Sequence, residues 1–151
     1  MSYQPSAQAH GFIYASSSGI TAITAGAPAV KLTIPTNSGE LHHFTMPTNN
    51  RLLYTPERAT IVHGVCSLSY TFSGSVATCT FSIALNDMLS PHFRTSRFTA
   101  SSSDMGSIAM NGCSLTHQND YYEIWASSTK NGNLTITTLM MSAFELHPHV
   151  G

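Results

Sequence analysis

Charge is what this chain has least of. Only 9% of its 151 residues are Asp, Glu, Lys or Arg, where globular chains usually carry about a quarter. Six cations against seven acids leave a formal net charge of -1. That gives no electrostatic reason to expect nucleic acid or an anionic membrane as partner. Long apolar runs are missing as well. None approaches the roughly 20 residues of a membrane span, and no charged start followed by an apolar stretch comes after Met1, so no signal peptide is expected. The three cysteines, Cys66, Cys79 and Cys113, are an odd number and make no disulfide framework. Cys66 and Cys79 flank a predicted hairpin and could be bridged; thiols buried in a protein made in a reducing cytoplasm are the simpler reading.

Catalytic signatures are equally scarce. There is no G-x-S-x-G, H-E-x-x-H or P-loop. Glu40, Glu57, Asp87, Asp104, Asp120, Glu123 and Glu145 are spread thinly, and none forms a pair spaced for general acid and base work. Asp87 and Asp120 sit beside Asn in turn-like contexts, where capping of the backbone explains them. No enzyme, cofactor or resident metal is expected.

What the chain does have is 42% hydrophobic residues in a background of Ser, Thr and Asn. That is enough apolar content to offset chain entropy in one domain. No i, i+3, i+4, i+7 pattern persists over three turns, and good helix formers are few. Strand signals recur instead, with turn chemistry between them, which predicts an all-β sandwich or jelly roll. "GFIYAS", "NRLLYT", "RATIVHGVCSLSYTF", "VATCTFSIALN", "FRTSRFTASSS" and "MGSIAMNGCSLT" are the candidate strands. Pro28, Pro35, Pro47 and Pro56 keep the strands of the first third short or at edges. The organisation read from this is an N-terminal arm over 1–10, a domain over 11–146 and a tail over 147–151.

The last two strands, read as a hairpin, are the most informative. Tyr122, Ile124 and Ala126 fall on one face; Tyr121, Glu123, Trp125 and Ser127 fall on the other, where Glu123 and Ser127 would tolerate water. Asn131-Gly132 suits a turn with positive φ. After it, Leu134 and Ile136 share a face, and the apolar phase then slips to Leu139, Met141 and Ala143. A slip of one residue reverses the buried face, so a bulge is predicted at Thr137-Thr138. If Trp125 and Tyr121 point away from the core, a second subunit would cover them. A sandwich whose end strand buries both faces would account for them too.

Eight histidines raise the question of metal. His42 and His43 are adjacent, so on a strand they would point to opposite faces and could not share an ion. His147 and His149 could share a face, but they flank Pro148 in the tail. His10, His63, His92 and His117 have no partner pattern. Arg94 and Arg97, in "HFRTSRFTA", are read either as a solvated loop or as a contact patch beside two phenylalanines.

Several stretches are familiar in order and spacing. Asn119 through Ala126 ("NDYYEIWA") and then Leu134 through Phe144 resemble the last two strands of C1q/TNF-like jelly rolls, especially those of bacteriophage structural proteins. "HGFIYASSSGIT", "NNRLLYTPERATIVHGVCSLSY" and "TFSIALND" resemble the earlier strands of the same group, so the likeness runs from Gly11 to Leu146. The sequence departs from that group at Tyr122, where a smaller aliphatic is usual, and in its scattered Cys and His. The resemblance implies a jelly-roll homotrimer with aromatic faces around the axis, and Tyr121, Tyr122, Trp125 and Phe144 are the interface residues expected from it. It further implies a virion protein made in the host cytoplasm. Such a protein would decorate a phage head and dock on the major capsid protein or a neighbouring virion protein, with Arg94, Arg97 and the arm residue Tyr3 as contacts. The other role it implies is the head of a tail fibre that binds a receptor or a host surface glycan.

Overall fold

The computed structural model describes residues 8–74 and 76–146. Among them the chain forms twelve β-strands and no helix. In order these are β1 (His10–Ala15), β2 (Gly19–Ile23), β3 (Val30–Lys31), β4 (Thr36–His42), β5 (Phe44–Thr45), β6 (Leu52–Tyr54), β7 (Thr60–Phe72), β8 (Ala77–Leu85), β9 (Met88–Thr99), β10 (Gly106–Thr116), β11 (Tyr121–Ser128) and β12 (Gly132–Glu145). The proline-rich first third holds the short strands, as expected.

Two antiparallel sheets face each other. One runs β10-β7-β12-β1-β4, with β2 also on β12; the other runs β5-β6-β11-β8-β9, with β3 also on β11. We call them the β12 sheet and the β11 sheet. Strict alternation supplies the core. Val62, Cys66, Leu68, Tyr70 and Phe72 of β7 meet Phe81 and Ile83 of β8 and Tyr122, Ile124 and Ala126 of β11, all buried. Each large side chain so buried stabilises the fold by about 1.5–3 kcal/mol.

The predicted bulge is present. Ile136 pairs with Tyr70 and Thr138 with Ser69, so the register skips Thr137. The Thr137 hydroxyl donates to the Ser69 carbonyl at 3.1 Å. The skip lets Leu134, Ile136, Leu139, Met141 and Ala143 all point inward.

The predicted closing hairpin is not a hairpin. β11 pairs with β8, β6 and β3, whereas β12 pairs with β7, β1 and β2, so the chain crosses between sheets after Ser128. Alternation reveals which face is buried but not which strand is the neighbour. Neither Asn131 nor Gly132 has positive φ. Gly132 is needed for space instead: a Cβ there would lie 2.7 Å from the Gly74 nitrogen and 2.8 Å from the Phe72 ring. The left-handed two-residue turn lies at Asn86-Asp87 (φ 53° and 65°), where Leu85 pairs with Met88.

β7 and β8 likewise belong to different sheets, so Cys66 and Cys79 do not flank a hairpin. Both are free and buried; Cys113 is free and exposed. The expected arm also begins to fold before residue 11. Ala9 is fully buried, and its carbonyl accepts from the Glu145 backbone N–H at 2.8 Å. Tyr3, His147 and His149 lie outside the described residues.

Candidate functional site

The outer face of the β12 sheet is crossed by three rows of cross-strand partners. They are Tyr14–Met140–Ser67–Ala109, Phe12–Ser142–Val65–Asn111 and His10–Phe144–His63–Cys113. None of these twelve residues is Asp, Glu, Lys or Arg. Tyr14 is 40% exposed and Met140 43%, and Ile61 and Leu115 extend the face at 44% and 53%. Phe144 stacks on His63 with ring centroids 5.1 Å apart. The Cys113 Sγ lies 3.4 Å from His63 Nδ1. Among the described residues a charge enters at the margin, where Glu40 Oε1 meets His10 Nε2 at 3.3 Å.

The outer face of the β11 sheet is built differently. Glu123, expected to tolerate water, is buried. Lys31 Nζ and Arg51 Nε each donate to its Oε2, at 2.8 and 2.7 Å, and the Trp125 indole donates to its Oε1 at 3.1 Å. Burial alone would raise the Glu123 pKa, but the hydrogen bonds from Lys31, Arg51 and Trp125 outweigh it and hold the carboxyl below its ordinary range. The Arg51 guanidinium also sits 4.0 Å above the Tyr121 ring. A large aromatic beside a carboxylate is thus explained within one protomer: the indole is a donor, and two cations cover the pair. Lys31 was invisible as a partner in the sequence, because it reaches Trp125 through a strand of only two residues.

The four aromatic residues expected at one interface are therefore separated. Tyr122 belongs to the core, where its hydroxyl bonds Thr116 and burial pushes its pKa up to about 12. Tyr121 and Trp125 face outward from the β11 sheet, while Phe144 faces outward from the opposite sheet. Alternation along β11 turns Tyr122 inward, and the crossing between β11 and β12 puts Phe144 on the other sheet.

Arg94 and Arg97 are also separated. Their segment is strand β9, where a spacing of three residues puts them on opposite faces. Arg94 is exposed opposite Ser82, whereas Arg97 lies 4.0 Å from Asp104 with its Nε buried.

The histidine expectation needs correction too. His43 has φ 62°, which breaks the alternation, and its ring stands 4.1 Å from that of His42. His10 stacks on His42 from the next strand at 5.6 Å. Burial first, then His42 and the nearby Arg58, lower the His43 pKa. Beside this cluster Arg58 and the Thr60 hydroxyl both bond the Glu145 carboxylate. Among the described residues no group of three His, Cys, Asp or Glu side chains is placed to hold a metal ion.

Two facing antiparallel sheets with these crossings define a TNF-like jelly roll. Eiger TNF from S. frugiperda superposes with a TM-score of 0.62 at 9% identity, over 98% of this chain and 97% of that one. Two structures of murine APRIL, at pH 5.0 and pH 8.5, superpose with TM-scores of 0.56 and 0.58 at 10% and 12% identity. Each covers 91% of this chain and 99% of its own. No protein-family model matches the chain, and neither does any curated protein sequence.

Proposed function

We propose that this chain is a non-enzymatic structural module that assembles as a homotrimer through the outer face of its β12 sheet. One observation carries the reading: three rows of side chains without a formal charge cross a solvent-facing sheet that holds Tyr14, Met140 and Leu115 in the open. Depletion of charge with enrichment of aromatics and Met marks the centre of subunit interfaces. Phe144 remains on this face; Tyr121, Tyr122 and Trp125 leave the interface. The resemblance of the chain to phage jelly rolls supports a place for the trimer on a virion, as a head decoration protein docked on the major capsid protein. Three equivalent contacts from one trimer would give such docking avidity. The test is binding of purified trimer to capsids stripped of accessory proteins. Saturable binding at threefold-related positions supports the reading, and no binding by a stable trimer removes the capsid from it.

The cations and aromatics of the β11 sheet favour a second role, that of a receptor- or glycan-binding head. The two roles use opposite sheets.

A further inference from the structure

A groove of about 300 Å³ opens on the surface between residues 31–35 and 48–49. Its lining is mixed: Lys31, the exposed Thr33 and Thr48, and Asn49 stand beside Leu32, Ile34 and Pro35. The volume sits at the lower end of the roughly 300–1,000 Å³ usual for small-ligand sites. Asn49 Oδ1 accepts from the Thr36 backbone at 3.0 Å, which orients its amide and leaves the NH2 group as a donor.

Lys31 belongs both to this groove and to the Glu123 cluster. Its ammonium and the Arg51 guanidinium bond the same oxygen of Glu123, so the two cationic groups are held side by side. Two positive charges share one buried negative charge, and the cluster presents a net positive charge to solvent. Lys31 and Trp125 are direct cross-strand partners, and the same row continues through Ser82 to the exposed Arg94. A half-buried indole thus lies between a lysine and an arginine, next to a groove of mixed polar and apolar lining.

We propose that this surface binds an acidic sugar, a uronic or sialic acid unit of a glycan. Lys31 and Arg51 take the carboxylate, Thr33, Thr48 and Asn49 meet ring hydroxyls, and the apolar face of a neighbouring sugar packs on Trp125. Charge complementarity and the prefixed cations favour an anion. Hydroxyl and amide groups beside the apolar Leu32, Ile34 and Pro35 suit the mixed hydroxyl and C–H surface of a sugar, and an acidic peptide is the competing ligand that the controls test. None of the groove residues, nor Arg51 and Trp125, belongs to the three uncharged rows of the β12 sheet, so the acidic-sugar test does not depend on the trimer.

Trp125 is the chain's only tryptophan, so its fluorescence reports on the site without labelling. The full chain is titrated with sialyllactose and with trigalacturonic acid, against lactose and a glutamate-rich peptide as controls. The expected result is a saturable change with at least one acidic sugar and none with lactose. Affinity should fall at least tenfold in Lys31→Met and should weaken as salt is raised on the wild type. Failure of both acidic sugars, an equal response to lactose, stronger binding of the peptide, or an undiminished response in folded Lys31→Met would each overturn the proposal.

Discussion

The Trp125 indole donates to Glu123 Oε1 at 3.1 Å, although the two residues are neighbours on one strand face that would ordinarily be wet. The carboxylate is 1% exposed, while its partners Lys31 and Arg51 keep 31% and 28% of their side chains in water. That asymmetry fixes the order of mutational costs. Glu123→Gln leaves two cations that can hydrate, and should cost about 1–3 kcal/mol. Lys31→Met combined with Arg51→Met strands a buried carboxylate and should cost more, about 3–5 kcal/mol. Urea melts of the two variants test the order; the reverse ranking would mean that Glu123 is solvated in solution.

Stability should fall in two stages as pH drops. His43 titrates below its ordinary 6.5 in the fold, so between those values the unfolded chain holds the extra proton and acid favours unfolding. Glu123 and Glu145 titrate below 4.5, so their stabilisation is complete above that pH and is lost as pH falls through their depressed folded values. Melting temperatures should therefore be level above about pH 6.5 and decline slightly below it. A steeper decline should follow below about pH 4.5. His43→Asn, whose side chain tolerates positive φ, should flatten only the first stage.

Deleting Thr137 removes the residue that the register skips. Ile136, Thr138 and Leu139 then alternate without a break against Tyr70, Ser69 and Leu68. Leu139 and Met141 therefore stay inward, and only the bulge and the Thr137 hydroxyl bond to Ser69 are lost. The deletion should keep a native near-UV circular dichroism spectrum and cost about 1–3 kcal/mol, and Thr137→Ser should melt within about 1 kcal/mol of wild type; a molten deletion variant would contradict the register.

Thiol reactivity separates the cysteines and reports on the uncharged face. Burial pushes the Cys66 thiol up to about 12, so it should stay unreactive towards Ellman's reagent until the protein unfolds. Cys113 is exposed in the protomer but lies in the row His10–Phe144–His63–Cys113. It should react slowly in the assembled protein and quickly in any variant that dissociates.

Much of this was legible in the chain. "RATIVHGVCSLSYTF" and "VATCTFSIALN" were legible as strands and became β7 and β8, and the phase slip after Ile136 located the bulge to Thr137-Thr138. Strand partners were not legible. Period-two patterning is the same whether β11 turns back on β12 or crosses to the other sheet, so Phe144 could not be separated from Tyr121 and Trp125. Alternation had already turned Tyr122 to the opposite face, and only the family resemblance grouped it with them. The Glu123 cluster was hidden for a related reason, since its cations come from residues 31 and 51, far away in sequence. The charge-free face needed the rows of three pairings before it could be seen at all.

The most direct test is the solution mass by light scattering of the wild type beside Met140→Glu, which sets a charge in the middle of the uncharged face. The account predicts a wild type at three times the 16.2 kDa protomer at all concentrations tested, and a folded monomer for the variant. A monomeric wild type, or a trimer that survives Met140→Glu intact, would contradict it.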